Sequence, residues 1–157
     1  MLDALVYFVN WKLIPEPEIE AVLRELASWG VSHLVFPPCW GEWEQQRPGV
    51  MQAIADKIQA LGLQTPAAHA LWGKGLDMSC LDPEQHRQML AQHTAFLRAL
   101  APLGVNTYTV HPGIAEQKTT PEQWAAIRRS LDTLLPVAAE TGIVLALENG
   151  HESLADL

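Results

Sequence analysis

Three residues whose types suit metal or proton chemistry close three apolar runs of the sequence: His69 after Leu63–Ala68, His111 after Val105–Val110, and Glu148 after Ile143–Leu147. Two imidazoles and a carboxylate are a donor set for a divalent transition metal such as Zn2+ or Mn2+. Taken singly, a strand-end histidine does something plainer, capping backbone carbonyls or filling a polar gap. The expectation of a metal centre therefore rests on the constellation of His69, His111 and Glu148 rather than on any one member. Glu148 is the strongest of the three, because a strand buried on both faces that ends on a carboxylate costs desolvation free energy unless a cation faces it.

Other residues just past the apolar runs would share the same rim. They are Asn10, Trp11 and Lys12, then Cys39, Trp40, Glu42 and Trp43, then Trp72, and last Asn149 and His151. Four of the six tryptophans and three of the six histidines fall in these stretches, the concentration that a binding face produces. Asn10, Trp11, Trp72 and His151 are the expected substrate contacts. The indoles at 11, 40, 43 and 72 either form a stacking wall for a ring or pack into the core. His33, in a strand run, and His86 and His93, in a helix, read as structural or solvent-facing. Cys39 follows two prolines at a strand end with nothing that marks it as a nucleophile, and no G-x-S-x-G elbow occurs.

The elements that must position these residues are visible as a repeat. At Gly30-Val31, Gly62-Leu63, Gly104-Val105 and Gly142-Ile143 an amphipathic segment ends in glycine and an apolar run begins, as where a helix C-terminus feeds a strand. Helical stripes precede each mark: Ile19, Val22, Leu23 and Leu26; Val50, Ile54, Ile58 and Leu61; Met89, His93, Phe96 and Leu100; Trp124, Ile127, Leu131 and Leu134. Asp82-Pro83-Glu84-Gln85 and Thr120-Pro121-Glu122-Gln123 carry a capping side chain, a proline at the first helical position and a glutamine three residues after the cap. Pro136 is expected to kink the fourth helix. Strands are predicted at about 4–10, 31–37, 63–69, 105–111 and 143–148. Strands alternating with helices give a parallel α/β sheet, either doubly wound or a (β/α)8 barrel. No G-x-G-x-x-G or Walker loop follows the first strand, which weakens the nucleotide-binding open sheets. A full barrel takes about 250 residues. The 157 residues are thus expected to form one partial (β/α) barrel domain, with about the first five strands and four helices, cut before strands six to eight.

Composition narrows the partners. The chain is 48% hydrophobic, enough for a core, and its net charge of -8 argues against a nucleic-acid partner, which would need Lys and Arg gathered on one face. Its two cysteines, Cys39 and Cys80, form no C-x-x-C pattern and suggest a reducing compartment. With no apolar run near 18 residues and no signal-peptide pattern at the N-terminus, the expectation is a cytoplasmic protein with no membrane partner.

The run Val-Leu-Ala-Leu-Glu-Asn-Gly-His, followed by Ser-Leu-Ala-Asp-Leu, together with Tyr-Thr-Val-His-Pro-Gly, resembles the xylose isomerase-like barrels, the sugar phosphate isomerase/epimerase superfamily that includes endonuclease IV. The resemblance covers the whole chain as the first five-eighths of that barrel. It implies an enzyme that uses a divalent metal, Mn2+ ahead of Zn2+ or Mg2+, to isomerise or epimerise a sugar or sugar phosphate through an enediolate. By the same resemblance Glu148 both binds the metal and moves the proton. In the epimerase-like members the other ligands come from strands six, seven and eight, which the sequence does not contain. The endonuclease-like members use histidines of strands three and four with the strand-five glutamate, the pattern of His69, His111 and Glu148.

Two alternatives stand beside the isomerase or epimerase. One is a metal-dependent phosphodiesterase of the endonuclease IV type, against which the acidic balance counts. The other is a non-catalytic half-barrel module whose open strand edges pair with a second copy or with a separate C-terminal half.

Overall fold

The computed structural model describes residues 6–7, 9–73, 75–113 and 119–148. Five strands form one sheet: β1 (Val6–Tyr7), β2 (His33–Phe36), β3 (Gln64–His69), β4 (Thr107–Val110) and β5 (Val144–Leu147). All neighbours are parallel and the spatial order is the chain order, β1-β2-β3-β4-β5. A doubly wound sheet reverses its strand order at a switch point, whereas a barrel adds every strand to the same edge. The strand order therefore decides between the two expected architectures, in favour of the barrel.

Helices α1 (Ile19–Ser28), α3 (Val50–Ala60), α4 (Pro83–Leu100) and α5 (Pro121–Thr141) cover the predicted stripes, except that Leu61 is the C-cap of α3 rather than part of it. The anchors Leu23, Leu26, Ile54, Ile58, Met89, Phe96, Leu100, Ile127 and Leu134 are all buried. Gly30, Gly62, Gly104 and Gly142 take φ of 84°, 73°, 83° and 71°, the left-handed turn that glycine enters without a Cβ clash. After α1, α3 and α5 the same bond follows, as in Val31 N–H to Leu26 O, Leu63 N–H to Ile58 O and Ile143 N–H to Ala138 O. Thr120 and Gln123 cap each other reciprocally. Asp82 accepts from the Gln85 amide, but the Gln85 side chain meets the Cys80 thiol instead, so only half of that box forms. α5 continues through Pro136 to Thr141.

A fifth α-helix, α2 (Pro38–Gln46), departs from the expectation, which puts Cys39, Trp40, Glu42 and Trp43 in a loop just past the second strand. Its signal was Pro38 at the first helical position. α2 also starts its successor: Glu44 accepts the backbone N–H groups of Gly49 and Met51 at 2.7 and 2.8 Å, supplying the carboxylate that the N-terminus of α3 lacks in its own sequence.

The two sides of the sheet differ. Leu34, Phe36, Ala68, Tyr108 and Val110 face the helices and are at most 1% exposed. Their alternates His33, Val35, Ala67, Thr107 and Thr109 are only half-buried. β5 departs from the expected strand buried on both faces, since Val144 is 64% and Leu147 41% exposed. It is an edge strand, paired with β4 on one side, and among the described residues nothing covers the other.

Candidate active site

Sheet register brings the three chemically suited residues together. Ala67, Ala68 and His69 of β3 lie beside Thr107, Tyr108 and Thr109 of β4, while Val110 lies beside Leu147 of β5. His111 and Glu148 are each the next residue along, and Glu148 N–H donates to Val110 O. One step past the strand ends, two of the three side chains have emerged from the same face. His69, at the end of its own strand, points there as well.

The imidazole Nε2 atoms of His69 and His111 are 3.2 Å apart, and His111 Nε2 is 3.8 Å from a Glu148 carboxylate oxygen. One donor atom from each of the three lies within 4.8 Å of the others. Bonds of about 2.0–2.2 Å to a common cation would put neighbouring ligand atoms about 3–3.5 Å apart. The histidine pair already has that spacing, and the half-exposed carboxylate is free on the solvent side to close the remainder.

Proton positions support the same use. Ala70 O can only accept, so His69 Nδ1, 2.9 Å away, carries the ring proton and Nε2 presents its lone pair toward His111. A histidine whose Nδ1–H is held by a backbone carbonyl has the tautomer and ring orientation typical of a metal ligand. The residues present therefore fit a divalent cation.

The expected reason for Glu148 needs correction. Its side chain is 51% exposed, so it does not end a buried strand at a desolvation cost. The edge position of β5 leaves it open to solvent, and its place in the cluster comes from register alone.

A cleft of about 390 Å3 adjoins the cluster, lined by Asn10, Trp11, Lys12, Cys39, Glu42 and Trp72 together with His69 and His111. Trp72 is 57% exposed, with its ring 6.2 Å from that of His111. Trp11 also lines the cleft but is 1% exposed, packed against Trp40 at a ring separation of 4.9 Å. Trp40 is fully buried, with Phe36 set edge-on against it, and Trp43 packs on the core. The idea of a four-indole wall thus gives way to one exposed indole at the rim, because α2 turns Trp40 inward. Burial and the neighbouring Glu42 push the Cys39 thiol up to about 11, so it stays protonated and unreactive. His93 is buried as a structural residue. His151 and Asn149 lie outside the described residues.

A profile of the xylose isomerase-like TIM barrel family matches residues 23–156. The chain belongs to this family. No curated protein sequence matches it. Solved structures share the xylose isomerase-like fold. A D-psicose 3-epimerase from Clostridium cellulolyticum, solved with D-tagatose, superposes with a TM-score of 0.68 at 16% identity, over 82% of this chain and 45% of that one. For a 3-keto-D-glucoside 4-epimerase from E. coli the values are 0.70, 20%, 92% and 55%. For a Thermus thermophilus protein soaked with ZnCl2 they are 0.67, 22%, 95% and 56%. This xylose isomerase-like chain spans about half the length of the solved structures it matches, which include several sugar epimerases of the same superfamily.

Proposed function

We propose that the chain forms the first five strands of a metal-dependent sugar or sugar-phosphate isomerase or epimerase, completed by strands that lie outside this sequence. The observation that carries the reading is the convergence of His69, His111 and Glu148 donor atoms within 4.8 Å at one end of a parallel sheet. His69 and His111 would hold the cation, with Mn2+ as first choice and Zn2+ or Mg2+ as alternatives. When bound, such a cation supplies Lewis-acid stabilisation of the negative charge that develops on a carbonyl oxygen as the adjacent C–H ionises. Glu148 contributes to the cation site and, as general base, takes the proton from that carbon; delivery of a proton to the neighbouring carbon then isomerises the sugar, and delivery to the opposite face of the same carbon epimerises it. Asn10 and Trp72 line the cleft where the sugar would lie, with Trp11 as its packed floor. His151 remains a proposed contact on sequence grounds.

Hydrogen exchange tests the reading. The full-length protein is incubated with candidate ketoses in D2O, and deuterium should enter the carbon beside the carbonyl, with loss of exchange on chelation and in Glu148→Gln. Absence of exchange with every ketose, with metal bound, would overturn it.

A second reading, a phosphodiesterase of the endonuclease IV type, is favoured by one observation: the donor set is two histidines and a glutamate from consecutive strands. Against it, Lys12 is the one cation among the described residues that line the cleft, and Glu42 stands with it. A polyanionic substrate would meet little compensating charge. Zinc-dependent cleavage of abasic DNA would decide for it.

A further inference from the structure

Behind the sheet, on the side away from the cleft, a buried hydrogen-bond chain joins two points of the turn that follows β3. Leu71 N–H donates to the Tyr108 oxygen at 3.2 Å, Tyr108 lies 2.9 Å from His93 Nδ1, and His93 Nε2 lies 3.2 Å from Leu76 O. Tyr108, His93 and Leu71 are 0%, 2% and 3% exposed, so no water competes for these groups. Every proton in the chain can be assigned. Leu76 O only accepts, so His93 Nε2 carries the proton and Nδ1 is an acceptor. Tyr108 O–H donates to it, leaving the Tyr108 oxygen to accept from Leu71. Burial pushes the tyrosine pKa up and the histidine pKa down, which keeps both groups neutral as this assignment requires.

The two backbone ends of the chain bracket Trp72, the exposed indole beside His111. We propose that His93 and Tyr108 are positioning residues that fix the backbone at Leu71 and at Leu76 so that Trp72 stands against His111 at the rim of the cleft. Among the described residues here, Leu71 is buried and Leu76 packs on the core, while Gly73 and Gly75 between them take positive φ, which only glycine enters without strain and which leaves the backbone path to be set by its ties. The same loop is fastened again further along, where Ser130 Oγ donates to Met78 O at 3.0 Å and His86 Nδ1 donates to Cys80 O at 3.1 Å. Among the described residues, the first tie alone spans Trp72. Its functional meaning rests on the proposed use of the cleft for substrate, but its measurement needs none.

The test is 19F NMR of the full-length protein carrying 5-fluorotryptophan, with the Trp72 resonance assigned by Trp72→Phe. In the native protein this resonance should move when His111 is replaced by alanine. In Tyr108→Phe and in His93→Phe it should lose about half or more of its displacement from the denatured position and stop responding to His111→Ala. Phe96→Leu is the control: Phe96 packs on Tyr108 at a ring separation of 5.9 Å without joining the chain, so it should lower stability and leave the resonance in place. An unmoved resonance in the folded chain variants would overturn the proposal, as would an equal movement in Phe96→Leu. Should Tyr108→Phe fail to fold, His93→Phe carries the same test.

Discussion

His69 and His111, 42 residues apart in sequence, bring their Nε2 atoms to 3.2 Å. Because His69 spends its Nδ1 proton on Ala70 O, its Nε2 has a lone pair to offer. Added Zn2+ or Mn2+ should raise the melting temperature, since a ligand at 100 times its dissociation constant stabilises by about 2.7 kcal/mol. His69→Ala and His111→Ala should each remove most of that rise. A melting curve indifferent to metal would argue that the pair is only a hydrogen bond.

Glu148 is half exposed, and its carboxylate faces His111 at 3.8 Å. Glu148→Gln should therefore change stability by less than about 0.5 kcal/mol, as surface substitutions do. Turnover in the full-length protein should be abolished. Substantial retained activity in a well-folded variant would remove Glu148 from the chemistry.

Stability should fall on acidification through His93. Burial lowers its pKa in the folded protein below the ordinary 6.5, so the unfolded chain binds the proton more readily. The contribution is intact above about pH 6.5 and is lost progressively as pH falls from there through the folded value. Thermal melts between pH 7.5 and 4.5 on the native protein and on His93→Phe should diverge in slope over that window. Parallel curves would mean that His93 does not couple to folding.

Gly41 lies in α2 where an added Cβ would stand 2.6 Å from the ring of Phe96. Phe96 is 4% exposed and cannot swing away into solvent. Gly41→Ala should destabilise by about 1–3 kcal/mol in denaturant titrations despite the better helix propensity of alanine. Unchanged stability would mean that α4 shifts easily against α2.

β5 presents Val144 and Leu147 at an unpaired edge. The 157-residue polypeptide by itself should self-associate in sedimentation velocity, and Val144→Lys should reduce that association, as charged residues do on natural edge strands. A monomer unaffected by the lysine would show that the edge is not adhesive.

Much of this was legible in the sequence. The four Gly-apolar junctions mark where helices α1, α3 and α5 and the turn before β4 hand over to strands, and glycine is readable there because only it enters the left-handed turn cheaply. The stripes of α1, α3, α4 and α5 were equally plain, since burial of one face imposes a 3.6-residue period. α2 was not, because its burial comes from Cys39, Trp40 and Gly41 in a row rather than from a periodic stripe.

The site divides in the same way. Sequence by itself determined that His69, His111 and Glu148 end strands, and through the family motif that the strands belong to a barrel. Local chemistry and periodicity act over a few residues and suffice for that. Tertiary structure alone decided that the sheet runs in chain order, that β4–β5 register places His111 beside Glu148, that Trp40 turns into the core while Trp72 stays at the rim, and that Glu148 lies open to solvent. Those outcomes depend on which strand pairs with which and on what covers each face. Contacts between residues far apart along the chain fix them, and no local pattern encodes them.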